Sequence, residues 1–253
     1  MGKDTFIYTP RGDIIVSENA DPDAIINGIL TDERYADLEL GIGLSFSPEF
    51  IGKLMFSGFY ITSDLLNQDT MWFDFDEENS RFSYFPLLNI WKKQTVLFFD
   101  HLHESKSIRR LVKNYELRIN YNFESVLERC VKAHGDVWIT PPLKRTLIKM
   151  RHKEYHTARA VSFEVYKDGA LTAGEFGVKT GKIYTSYSGF YLEPSAGSVQ
   201  LLMMLRYLRD NGYIFCNFGT DDSIENNIYK RRLGAVYIDR RDFIAIWRYA
   251  RNV

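Results

Sequence analysis

Residues 160–187 hold three β-prone runs separated by two short turns, and no other stretch of the chain restricts its fold so strongly. Residues 160–166 alternate in polarity. Residues 171–178 follow the turn Lys167-Asp168-Gly169, and residues 183–187 follow Lys179-Thr180-Gly181. Asp-Gly and Thr-Gly turns between such runs join antiparallel neighbours. The expected result is an antiparallel meander, which must bury a face against other elements.

The flanking segments supply those elements. Upstream, residues 117–120 read as a strand, and Asn122 caps a helix that turns Val126, Leu127 and Cys130 inward. Residues 137–140 read as a short extended piece. Pro141 and Pro142 then open a helix carrying Leu143, Leu147 and Met150. Downstream, residues 195–211 place Leu201, Leu202, Leu205 and Leu208 on one helical face and close on Asn211-Gly212. A strand over 213–218, a helix capped by Ser223 that ends near Gly234, and an extended piece over 235–238 complete the series. A meander followed by helix, strand, helix and strand is the order of a GNAT-like acyltransferase domain. The fold class expected is α/β (α+β), with a mostly antiparallel mixed sheet flanked by helices. Ahead of it, Ser47-Pro48 starts a helix bearing Ile51, Leu54 and Met55 and stopping at Gly58. Residues 67–81 are polar and acidic and read as a long loop. The division expected is a smaller N-terminal domain over 1–90 and a GNAT-like catalytic domain over 91–253. A fold does not fix chemistry.

Composition removes several classes of function. The 32 Lys+Arg are balanced by 33 Asp+Glu, so a uniformly basic nucleic-acid coat is excluded while a local basic patch is not. Cys130 and Cys216 are too few for a disulfide framework and lack metal-ligand spacing, which points to a reducing cytoplasm and no metal. Residues 1–5 have no apolar signal-peptide core, and no apolar run approaches the ~20 residues that span a bilayer.

Several segments in order resemble the leucyl/phenylalanyl-tRNA–protein transferase family. Leu102-His103-Glu104-Ser105-Lys106-Ser107-Ile108-Arg109-Arg110 resembles its L-H-x-S-R-S-x-[KR]-[KR] segment. Asp136-Val137-Trp138-Ile139-Thr140 resembles its T-W-I-T, and Ser162-Phe163-Glu164-Val165-Tyr166 its S-[IV]-E-[VW]-W strand. Residues 174–177 with Gly181 resemble its glycine-rich hairpin. Leu233-Gly234-Ala235, followed by residues 238–243, resembles its L-G-A…I-x-R-R-x-[FY] ending, and residues 44–58 its G-D-L-S-P…L…G. The likeness covers about residues 40–245; residues 1–35 have no counterpart in it.

The resemblance implies transfer of an amino acid from a charged tRNA onto the α-amine of a protein N-terminus. The donor ester is already activated, so no cofactor is expected; the partners are aminoacyl-tRNA and a peptide N-terminus. The site must hold both reactants, take a proton from the ammonium and stabilise an oxyanion. It must also stack the terminal adenine and meet phosphates with Lys or Arg. Trp138 is the candidate stacking residue. Lys106, Arg109, Arg110 and Lys113 recur at i, i+3, i+4 and i+7 and so form one basic face for tRNA. Tyr187, Asn217 and Asn227 are the candidate catalytic residues.

The chain also departs from the family. Glu175 stands where the family places a methionine of the donor pocket, and Gly189 where it places a second. In Ser186-Tyr187-Ser188-Gly189-Phe190, Tyr187 replaces the acid of the family's G-E-S-M-F. The family's I-D-C-Q meets Phe215-Cys216-Asn217-Phe218, leaving Asn217 or Asp221 for a polar role. A buried carboxylate needs a partner, and a guanidinium suits it. The expected donor pocket is therefore Glu175, Gly189 and Leu201 around arginine, with Asp or Glu as the acceptor. The alternatives are Leu or Phe onto N-terminal Lys or Arg, a non-catalytic tRNA- or N-terminus-binding homologue, and an acetyl-CoA-dependent N-acetyltransferase. The last is disfavoured because residues 193–198 carry one glycine and no basic residue.

Overall fold

The computed structural model describes residues 6–8, 14–67, 82–135, 137–220 and 224–253. Residues 68–81, Asp136, Asp221 and Ser223, on which several expectations rest, lie outside these. Five strands form the first sheet: β1 (Phe6–Tyr8), β2 (Ile14–Val16), β3 (Leu40–Gly43), β4 (Tyr60–Asn67) and β5 (Phe82–Asn89), in the order β1-β2-β3-β5-β4. Two helices accompany them, α1 (Pro22–Thr31) and α2 (Pro48–Ser57). Ser47 caps α2 by accepting the Phe50 N–H at 3.3 Å, and Gly58 closes it at φ 112°, a conformation that favours glycine.

The second sheet begins with β6 (Lys93–Phe98), followed by α3 (Lys106–Val112) and β7 (Glu116–Ile119). Next come α4 (Phe123–His134), α5 (Pro141–His152) and the meander β8 (Ala158–Lys167), β9 (Ala170–Thr180) and β10 (Ile183–Tyr191). The chain ends with α6 (Ala196–Asp210), β11 (Phe215–Asn217), α7 (Ile224–Arg232), β12 (Val236–Asp239) and α8 (Arg240–Ala250). The order is β12-β6-β11-β10-β9-β8-β7; β10 and β11 run parallel and the other pairs antiparallel. This is the mixed α/β arrangement expected of the second half.

Two differences matter. Residues 137–139 form bends, not a strand, because the segment ties back to one residue rather than along a strand: the Trp138 carbonyl accepts from the Ser63 N–H at 3.0 Å and the Ser63 hydroxyl at 3.1 Å, and that hydroxyl accepts the Thr140 N–H at 3.1 Å. β6 was not foreseen, and it inserts between β11 and β12. The two sheets part between Asn89 and Lys93, yet one apolar core runs from Ile14 through Leu54, Leu127, Phe176 and Trp247 to Ala250. The opposite face of the second sheet packs Phe163, Tyr184 and Cys216 against Leu201, Leu205 and Leu208 of α6. The N-terminal segment without a family counterpart is bound to the C-terminus. Arg251 donates to both Asp23 carboxylate oxygens at 2.9 and 2.8 Å, and Arg248 to Asn27 at 2.7 Å.

Candidate active site

β10 and β11 pair only from Ile183↔Phe215 to Thr185↔Asn217. Beyond that, β10 continues to Tyr191 while the chain after Asn217 turns away, so the sheet forks. A cleft of ≈ 1110 Å³ opens at the fork, bounded by β10, the first turns of α6, Trp138 and the end of α7.

The register of β9 and β10 determines what lines it. Gly177 pairs with Ser186 and Phe176 with Ser188, leaving Tyr187 as the extra residue of a β-bulge. Glu175 pairs with Gly189 and with Phe163 on β8. Strand partners share a face, so Glu175, Gly189, Ser186 and Tyr184 face α6, and Phe176 and Thr185 face the other way. A Cβ at Gly189 would lie 3.2 Å from the Glu175 Cβ. Gly177 serves the same neighbourhood: a Cβ there would sit 2.5 Å from the Tyr184 hydroxyl, which donates to Glu175 Oε1 at 3.1 Å.

Glu175 is 5% exposed. Burial raises its carboxyl from 4.5 to about 7, against hydrogen bonds from Ser186, Tyr184 and Gln200 and the charge of Lys230. Glu193, the second carboxylate of the cleft, is held below its ordinary range by Tyr115, which donates to it, and by Lys167 at 3.2 Å. The Tyr187 ring stacks on Tyr60 at 4.4 Å and, more loosely, on Phe176 at 5.9 Å and Trp138 at 6.1 Å. Its hydroxyl accepts the Ile61 N–H at 3.0 Å, and burial pushes the phenol above its ordinary value, so it stays protonated.

The structure thus brings Glu175, Gly189, Leu201, Tyr187 and Trp138 together at one cleft. Asn217 lies apart from it. Paired with Thr185, it lines a separate cavity of ≈ 10 Å³ behind Tyr187, and its Oδ1 accepts the Gly219 N–H at 2.9 Å. Asn227 lies in α7; its side chain is outside the described residues. Lys106, Arg109 and Arg110 are exposed on α3 and Lys113 just past its end; α3 packs on α6 outside the cleft. Among the lining residues not anticipated are Gln200, Lys230 and His134, whose Nε2 lies 2.7 Å from the Gly189 carbonyl oxygen. Of these three, Gln200 left a sequence signal, a polar residue on the stripe of Met204 and Leu208.

A meander that opens into a parallel pair, with a cleft at the fork, defines an acyltransferase-type α/β domain. The family model for leucyl/phenylalanyl-tRNA protein transferase matches residues 96–248, which contain the whole cleft. The chain belongs to that family and is an aminoacyltransferase. A leucyl/phenylalanyl-tRNA–protein transferase from Maridesulfovibrio salexigens is 27% identical over 222 residues, 84% of this chain and 81% of the relative. One from Synechococcus sp. is 31% identical over 146 residues, 57% and 71% of the two chains. Among solved structures, FemX aligns over 92% of this chain and 81% of its own at 9% identity and a TM-score of 0.46.

Proposed function

We propose that the chain moves an amino acid from an aminoacyl-tRNA to the α-amine of a protein N-terminus, with Leu or Phe as the amino acid carried. The observation that carries this reading is the forked cleft inside the family-matched segment. At ≈ 1110 Å³ it is at the upper end of small-ligand sites, with room for a terminal nucleoside and an amino acid. Trp138 offers an aromatic surface in its wall, and the basic face of α3 offers phosphate contacts. The ester supplies the activation, so this reading calls for no further cofactor. With Cys130 and Cys216 both buried and free, it calls for no oxidising compartment either.

The expectation of arginine placed on Asp or Glu draws no support from the relatives, which carry the leucyl/phenylalanyl name. One observation favours it as a second reading: the Glu175 carboxyl lines the cleft beside a Gly189 that leaves space. Lys230 already faces that carboxyl, which weakens the need for a cationic ligand. The test is purified protein with labelled Leu-, Phe- and Arg-tRNA and peptides beginning Lys, Arg, Asp or Glu. Leu or Phe on Lys or Arg supports the first reading. Arginine on Asp or Glu replaces it with the second, and no transfer from any donor overturns both.

A further inference from the structure

Amide formation at this site requires that an ammonium lose a proton, and few groups in the cleft can take it. Tyr187 is a protonated phenol whose oxygen accepts a backbone N–H. Glu193 is exposed to Lys167 and Tyr115, which hold its carboxyl below the ordinary range. His134 engages the Gly189 carbonyl through Nε2. Glu175 remains, at the crotch where β10 leaves β11, buried yet lining the cleft. We propose that Glu175 is the group that takes the proton from the α-ammonium of the acceptor. This rests on the aminoacyl-transfer reading and gives Glu175 a role different from pairing with a donor side chain.

The step balances as follows. One proton passes from the ammonium to the Glu175 carboxylate, and the nitrogen lone pair attacks the ester carbonyl carbon. The C–O bond to the ribose then breaks. A second proton leaves the nitrogen for the departing ribose oxygen, giving an amide and a free tRNA hydroxyl, and Glu175 returns its proton to water.

The surroundings suit the task. On the carboxyl's own face β8 presents the apolar ring of Phe163, and the polar groups there are neutral donors and a thiol, apart from one lysine of α7. Tyr184 and Ser186 face it from β10, Gln200 from α6 and Cys216 from β11, while Cys130 of α4 and Tyr60 of β4 lie behind the sheet and Lys230 of α7 supplies a positive charge. With a carboxyl at about 7, transfer from a terminal ammonium near ~8 is unfavourable by only about tenfold, against about three thousandfold for an ordinary Glu.

The experiment is single-turnover transfer at saturating donor and acceptor for wild type, Glu175→Gln and Glu175→Asp from pH 5.5 to 8.5, with tRNA affinity by gel shift. Wild type is expected to lose rate on the acidic side with a midpoint near 7. Glu175→Gln is expected to fall by about a hundredfold or more and to lose that acidic limb. Its affinity for aminoacyl-tRNA is expected to stay within about threefold, and Glu175→Asp to recover part of the rate. An acceptor peptide with an aminooxy group in place of its α-amine, neutral at these pH values, is expected to bring the two enzymes within about threefold. A Glu175→Gln enzyme that keeps rate and limb overturns the proposal, as does a limb that moves with His134→Gln instead. Loss of arginine transfer alone, with leucine transfer intact, overturns it in favour of donor recognition. No transfer by wild type from any donor overturns the functional reading itself.

Discussion

Glu175→Gln replaces a buried carboxyl by an amide of nearly the same shape, and its effect on stability follows from the site. Burial is the leading cause that raises the carboxyl from 4.5 to about 7. A group raised in the folded chain keeps its proton there after the unfolded chain has released it. Its contribution is therefore fully present below about pH 4.5 and is lost as pH rises through about 7. The whole gap is worth about 3 kcal/mol, of which about 2.5 kcal/mol falls between pH 5 and pH 8. The amide does not titrate. The stability of Glu175→Gln minus that of wild type should thus climb by about 2.5 kcal/mol across that window, on top of a constant offset from altered hydrogen bonds. Urea denaturation at four pH values measures it, and taking the difference cancels every other titrating group. A difference flat to within about 0.5 kcal/mol would show that Glu175 is ionised throughout, which removes the argument for a base near neutrality.

Further outcomes follow from other contacts. Arg251→Ala should cost about 2 kcal/mol in urea denaturation at pH 7, because it removes a bidentate partner from Asp23. Burial pushes the Asp23 carboxyl up, but the Arg251 hydrogen bond and charge outweigh this and hold it below its ordinary value. The cost should therefore shrink as pH falls below about 4. Gly177→Ala would set a Cβ 2.2 Å from the Thr185 carbonyl oxygen and 2.5 Å from the Tyr184 hydroxyl. It should cost about 3 kcal/mol in thermal or urea unfolding. Replacing Arg109 and Arg110 by Ala should weaken tRNA binding without sequence preference, and should reduce the slope of log affinity on log salt by about 1 per lost phosphate contact.

What could be read from the sequence was local. The meander is written in its two turns, and the starts of α2 and α4 in Ser47 and Asn122, whose side chains cap as their types suggest. β6 was not legible because its first half, Lys93, Gln94 and Thr95, is polar, and Gln94 and Thr95 are nonetheless buried mid-sheet. Their burial follows from insertion between β11 and β12, which no local pattern encodes. α8 was legible but unread: Phe243, Ile244, Trp247 and Ala250 recur on one helical face and are all buried. At the site, residues on one continuous hairpin could be placed together from sequence. Lys230 and His134 could not, since they reach the cleft only through the packing of α7 and α4 around the fork.

The bulge at Tyr187 explains why even the legible part of the site needed the structure. A strand with strict period two starting from Tyr184 would put residues 184, 186 and 188 on the α6 face and residues 185, 187 and 189 on the other. Gly189 would then turn away from Glu175, and the two positions assigned to one donor pocket would lie on opposite sides of the sheet. The extra residue at 187 reverses the parity. Gly189 joins Ser186 on the face of Glu175, and the Tyr187 ring stays on the far face, against Phe176 and Tyr60. One inserted residue therefore brings Gly189 beside the carboxyl while the aromatic ring keeps the far face, so the same strand lines the cleft from both sides of the fork.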